Sequence, residues 1–197
     1  MKKILSTLYL TLISMISFAQ VKADTSGHLT FKGIAIDGTL DEYVSKMKRI
    51  GFRHLSTNDG NAMLEGDFAS YKNCIISVST LKQKDLVHKI DVMFPDKDKW
   101  STLSGNYFDL KQLLTEKYGI PSNIVEEFDT RIEPRDDQSK MYEVQFDHCK
   151  YYSNWTVDKG EIQLSIEHIG MRRCFIKLTY FDKSNSATIK KQALEDL

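Results

Sequence analysis

The sequence predicts an α+β fold built as a tandem repeat, each unit a helix packed on one face of an antiparallel β-sheet. Three observations carry that prediction. The elements run helix, strands, helix, strands. Two amphipathic helical patterns start at Leu40 and near Tyr107. The segments "LVHKIDVMFPD" and "RCFIKLTYFDK" hold matching final-strand positions in the two halves. The expected divisions are a signal peptide at 1–19, a first unit at 20–98, a second at 99–183 and a tail at 184–197.

The chain opens "MKKILSTLYLTLISMISFAQ". Lys2 and Lys3 make a short basic region, Ile4 to Ile16 an apolar one, and Ser17-Phe18-Ala19 a cleavage site with small residues at its −3 and −1 positions. This is the pattern of a secretory leader. The apolar run falls short of the ~20 residues a membrane span needs. No Cys follows the cleavage site, so a lipid anchor is not expected. The remainder, from about Gln20, is expected to be exported to the periplasm or the exterior.

Leu40, Tyr43, Val44, Met47 and Ile50 form the i, i+3, i+4, i+7 stripe of the first helix, and Gly51 ends it. Its start, "DGTL", resembles motif I of the haloacid dehalogenase phosphatases, D-x-D-G-T. The nucleophilic Asp of that motif is replaced by Ala35, whose methyl group cannot attack phosphorus. Asp37 matches the second Asp but has no nucleophile to serve. The later "GDxxxD" is echoed by Gly66 and Asp67 alone, with Tyr71 in place of its last Asp. Local physics gives a different role. Thr39 is an N-cap whose hydroxyl accepts from residue 42, and Glu42 reaches back to the Thr39 N–H. Asp41 and Glu42 also suit the positive end of the helix dipole.

Strand-like text follows, in "AMLEGDFASYKNCIISVSTL" and "LVHKIDVMF", with turns at 58–61 and 95–99. The second helix is expected over 107–118, with Tyr107, Leu110, Leu114 and Tyr118 on one face and Gly119 and Pro121 beyond. The charged stretch "EEFDTRIEPRDDQSK", 126–140, is expected to be a mobile loop between units. Strands are then expected in "MYEVQFDHCKYY", "EIQLSIEHI" and "RCFIKLTYF". In the last two, Ile162, Leu164 and Ile166 share one face, as do Cys174, Ile176, Leu178 and Tyr180. The tail is expected to form a short helix capped by Ser184 or Ser186. Its sparse apolar residues, Ile189, Ala193, Leu194 and Leu197, suggest loose docking.

The chemistry-bearing residues are scattered. The basic and acidic side chains number 27 each, and losing Lys2 and Lys3 leaves a slight acidic excess. No basic face for nucleic acid is implied. The five histidines include no H-x-x-x-H pair, and the three cysteines no C-x-x-C pair. His148, Cys149, His168 and Cys174 could converge across strands, but the simpler reading is Cys toward the core and His at the rim. A Cys149–Cys174 bridge across adjacent strands and an unbridged pair are both compatible with the spacing. No G-x-S-x-G elbow, calcium loop or phosphate loop appears. No cofactor, metal ligand set or catalytic residue is therefore expected. Tyr151, Tyr152 and Trp155 form the densest aromatic stretch. They could line a ligand or partner surface, or form an ordinary strand with one aromatic facing the core.

The strings "IDGTLDEYVSKMKRIGF", "EKYGIPSNIVEEF", "NWTVDKGEIQLSIE" and "LTYFDKSNSATIKKQALEDL" together resemble a group of uncharacterised secreted proteins of Bacteroidetes. Their shared motifs are structural, so the resemblance implies no functional residue. In outline the repeated helix-on-sheet unit is similar to the β-lactamase inhibitor protein fold, an analogy of fold alone. The expected function is a non-catalytic binding module of the cell envelope with a protein partner. The alternatives are an envelope hydrolase assembled from scattered His, Asp and Cys, and a carrier of lipid or another small ligand.

Overall fold

The computed structural model describes residues 27–80 and 84–195, so the expected leader lies outside the described residues. A two-stranded hairpin comes first, β1 (Thr30–Phe31) with β2 (Ile34–Ala35). Its turn places Lys32 and Gly33 at positive φ. Helix α1 (Leu40–Arg49) follows. Its capping box is complete: Glu42 N–H donates to Thr39 Oγ1 at 3.3 Å, and Thr39 N–H to Glu42 Oε2 at 3.2 Å. Asp85 accepts the Leu40 N–H at 2.9 Å, so a distant loop also serves the helix end. Leu40, Tyr43 and Met47 are buried, and Gly51 at φ +98 takes the chain out of the helix.

Four strands come next, β3 (Arg53–Asn58), β4 (Asn61–Phe68), β5 (Tyr71–Thr80) and β6 (Val87–Met93). After them come α2 (Trp100–Tyr118), β7 (Asn123–Phe128), α3 (Asp137–Gln145), β8 (Cys149–Val157), β9 (Gly160–Ile169), β10 (Arg173–Asp182) and α4 (Lys183–Glu195). The fold is α+β. All eight strands from β3 to β10 lie in one antiparallel sheet, in the order β3-β4-β5-β6-β10-β9-β8-β7. β6 and β10 meet at the centre, and β3 and β7 are its edges.

Period-two alternation fixes the two faces. One register row runs Leu64, Ile76, Val92, Leu178, Leu164 and Ser153 across six strands, and every member is buried. The neighbouring row holds Ala62, Val78, Ile90, Tyr180, Ile162 and Trp155, also buried. The buried residues of α1 and α2 belong to the same core cluster as these rows, as does Phe31. Phe31 packs edge-on against Tyr180 at 5.5 Å and stacks on Phe68 at 5.1 Å.

Several elements differ from the sequence expectation. α2 starts at Trp100 rather than Tyr107, because Trp100 and Leu103 extend the buried stripe by two turns past Ser101, Thr102 and Gly105. The stretch 126–140 is not one loop. Its first three residues complete β7, and its end opens α3 with a capping box between Asp136 and Ser139. "MYEVQ" is helical with Phe146 as the C-cap, and the strand expected there begins only at Cys149. In the tail, Asp182 rather than Ser184 or Ser186 accepts the first-turn N–H, from Asn185 at 2.8 Å. Asn185 is buried, so the start of α4 is firmly anchored. The tail positions Ile189, Ala193 and Leu197 lie outside the described side chains.

Candidate functional site

The sheet face opposite the buried rows also carries two register rows, and each crosses all eight strands. One reads Arg53, Glu65, Ile75, Met93, Lys177, Ser165, Tyr152 and Val125. The other reads Ser56, Met63, Ser77, Asp91, Thr179, Gln163, Asn154 and Asn123. These positions keep solvent access, apart from the short Ser165 and Thr179. The charges at the centre are paired within the sheet. Asp91 receives Lys89 at 2.9 Å and the Thr179 hydroxyl at 2.7 Å. Glu167 receives Lys177 at 3.0 Å and the Ser165 hydroxyl at 2.7 Å. The face is therefore mixed in character and near neutral at its centre, with Met63, Ile75, Met93, Tyr152 and Val125 as its apolar and aromatic members.

The aromatic trio does not form one surface. Trp155 is 1% exposed and donates from Nε1 to the Gly119 carbonyl at 2.9 Å, tying β8 to the end of α2. Tyr151 shares that inner face by parity. It packs edge-on against Trp100 at 4.9 Å and tilted against Phe128 at 5.5 Å. Tyr152 alone points to the open face. The second-half core is stitched by a polar contact as well: the Tyr107 hydroxyl meets Ser153 Oγ at 2.8 Å and donates to Glu126 at 3.3 Å. Burial, chiefly, holds the Tyr107 phenol above its ordinary range.

A second feature lies between β8 and β9. Their ladder stops at the pair Tyr152–Ser165. Beyond it, β8 stays paired with β7 down to Cys149 opposite Phe128, and β9 stays paired with β10 to Ile169 opposite Arg173. The two strands thus fork. A cavity of about 180 Å³ fills the fork, lined among others by Cys149, Tyr151, Tyr152, Glu167 and His168. At its mouth His168 Nε2 meets Asp147 Oδ1 at 2.9 Å, and Nδ1 meets the Gly170 carbonyl at 2.9 Å. His148 turns elsewhere, to Glu143 at 2.6 Å.

The two cysteines are not on adjacent strands, as the sequence reading allowed. β9 lies between them, which separates the backbones by about two strand spacings, ~9.6 Å. A disulfide spans at most ~7 Å between Cα atoms, and both thiols are free. Burial pushes the Cys149 thiol up to about 12 and the Cys74 thiol to about 11. Cys149 is thus not a prepared nucleophile, and both nitrogens of His168 already face acceptors. Among the described residues, no group of three or more His, Cys, Asp or Glu side chains is placed to hold a metal.

Asp37, the residue that matches the phosphatase motif, belongs to a polar staple. The Asn185 amide donates to Asp37 Oδ1 at 3.2 Å, to the Ile36 carbonyl at 3.1 Å and to the Val87 carbonyl at 2.8 Å. Asp182, fully buried, accepts from the Leu29 N–H at 2.7 Å and meets His28 Nδ1 at 3.1 Å. Burial alone would raise the Asp37 pKa, but the Gly38 N–H, the Asn185 amide and the His28 and Lys46 charges outweigh it and hold it below the usual carboxylate range. The staple joins residues about 150 positions apart (Leu29 to Asp182 is separated by 153), and no local pattern announces it.

No family model, curated protein or solved structure matches this chain. No helix among the described residues is long and apolar enough to cross a membrane.

Proposed function

We propose that this protein is an exported, non-catalytic binding module that docks a protein partner on the open face of its sheet. The observation that carries this reading is the pair of solvent-accessible register rows crossing all eight strands, with their central charges matched internally. Seven strand spacings make the face about 34 Å wide. A standard partner patch of about 800 Å² is about 28 Å on a side. Apolar and aromatic members at Ile75, Met93 and Tyr152 offer anchors between pre-paired charges, which favours a protein surface over a polyanion. Export is supported by the leader pattern of residues 2–19.

The same proposal takes the sheet as a duplication, in line with the resemblance to the secreted Bacteroidetes group and the inhibitor-protein outline. The mirrored order β3-β4-β5-β6 against β10-β9-β8-β7 supports it, with α1 and α2 leading the two halves and α3 an insertion in the second. The hydrolase alternative is weakened by the high Cys149 pKa and the doubly engaged His168.

Photo-crosslinking in the producing cells tests the docking face. A benzophenone side chain is placed at Met93, at Tyr152 or, as a control, at Glu116 on the exposed surface of α2. One discrete adduct is expected from Met93 and Tyr152 and none from Glu116. Adducts from Glu116 alone, or from no position, would sink the reading.

A further inference from the structure

We propose that His168 is a proton-controlled latch: its imidazolium pins the α3–β8 turn to the β9–β10 turn, holding the β8–β9 fork closed, and its deprotonation releases one of the two. The argument is geometric. Asp147 Oδ1 and the Gly170 carbonyl are both acceptors, and they face the two ring nitrogens at 2.9 Å each. A neutral imidazole carries one N–H and can donate to one of them, whereas the imidazolium donates to both. The two anchors belong to separate turns, each with a residue at positive φ, Asp147 at φ +64 and Gly170 at φ +60. The ring therefore bridges the mouth of a fork that no ladder hydrogen bonds close.

The surroundings favour the charged ring. The end of α3 lies beside it, where the Asp147 N–H reaches the Val144 carbonyl and the His148 N–H the Glu143 carbonyl. A cation near a helix C-terminus is stabilised by the backbone dipole. On β9, Glu167 is an additional anion, already matched by Lys177. From β8, Lys150 donates to the Asp147 carbonyl at 2.8 Å and opposes the imidazolium, and Cys149 stays neutral. In the turn, His148 is occupied by Glu143. On β10, Cys174 lies opposite His168 as a neutral thiol, and Arg173 is drawn away to Asp96. The Gly170 carbonyl first, then the Asp147 hydrogen bond, hold His168 above its ordinary range, and the His168 bond holds Asp147 below its own.

The sign follows from linkage. The contribution of His168 is complete below its unfolded value of about 6.5 and disappears as pH climbs through the raised folded value. The contribution of Asp147 is present above about 3.9 and disappears as pH falls through its lowered folded value. The doubly donated latch is complete between these limits, and one of its two bonds is lost as pH climbs through the raised folded value of His168. The ring itself lies on the opposite side of β9 from Gln163 and Glu167 of the docking face.

The test uses the protein labelled with ¹⁵N. Imidazole resonances of His168 are identified as those missing from His168→Gln. Both ring nitrogens are expected to be mostly protonated at pH 6.5, with a titration midpoint above 6.5. Amide exchange at Tyr151 and His168, corrected for intrinsic rates and referred to Leu178, is expected to quicken about tenfold between pH 6.5 and 9. Asp147→Asn should lower the midpoint and flatten that rise. A mostly neutral ring at pH 6.5, a midpoint at or below 6.5, or an Asp147→Asn protein with the same exchange profile would each overturn the proposal. The ring measurement on the unaltered protein stands even if a variant fails to fold.

Discussion

Replacing Asp182 by Ala is expected to cost about 3 kcal/mol of stability. The carboxylate is fully buried and accepts from two backbone N–H groups, those of Leu29 and Asn185, at 2.7 and 2.8 Å. Alanine leaves both donors buried without an acceptor. Each such loss costs about 1–3 kcal/mol, giving roughly 2–6 kcal/mol together. Relief of the penalty for burying a charge brings the net toward the lower half of that range. With a urea slope of about 2 kcal/mol/M, the unfolding midpoint should fall by about 1.5 M, read by far-UV circular dichroism. Asp182→Asn keeps the shape and one acceptor but points an NH₂ at a second donor, so its loss should be smaller but well resolved. Asp109→Ala, on the exposed side of α2, should move the midpoint by less than about 0.25 M, that is by under about 0.5 kcal/mol. An Asp182→Ala midpoint within 0.25 M or so of the parent would refute the idea that this staple holds the hairpin, the α1 approach and α4 to the sheet.

Trp155→Ala should cost about 3–5 kcal/mol, while Tyr152→Ala on the same strand should cost less than about 1 kcal/mol; thermal melts of the two proteins decide this. Gly160→Ala should destabilise by at least about 1–3 kcal/mol, because the added methyl would lie 2.0 Å from the Phe181 carbonyl oxygen, and calorimetry would register it. Thr39→Ala should remove about 1 kcal/mol through loss of the cap, measured by urea titration. At pH 8 the folded protein should react with a thiol reagent at least a hundredfold slower than it does when unfolded, since Cys149 and Cys74 ionise far above that pH and Cys174 is buried with its thiol also held above its ordinary range; rapid labelling of Cys149 would contradict its raised pKa.

What the sequence revealed was local. Thr39 and Glu42 stand three apart, and the cap they form needs nothing else. Ile162, Leu164 and Ile166 alternate with polar residues, and one buried face is enough to make that pattern readable. "MYEVQF" deceived for the same reason. Tyr142, Val144 and Phe146 alternate like a strand, but Tyr142 and Phe146 are exposed, and the buried pair is Met141 and Val144, one helical turn apart. The Asp136–Ser139 capping box favours the helix and is hard to read from the sequence, because Ser stands where Glu or Gln usually does. The site features were beyond reach. Tyr151 meets Trp100 only through the register of β7 and β8 against α2. The Asp182 staple spans nearly the whole described chain, and the fork at Tyr152–Ser165 is a property of where a ladder stops, for which no residue type is a marker.

The central place of β10 has a bearing on how the molecule is made. Synthesis proceeds from the N-terminus, yet the strand that joins β6 to β9 is the last of the ten among the described residues. A growing chain therefore holds two strand groups with raw inner edges until residues 173–182 arrive. Loss of even the final thirty residues would leave both groups without their common neighbour, so one late stop codon should be as damaging as an early one.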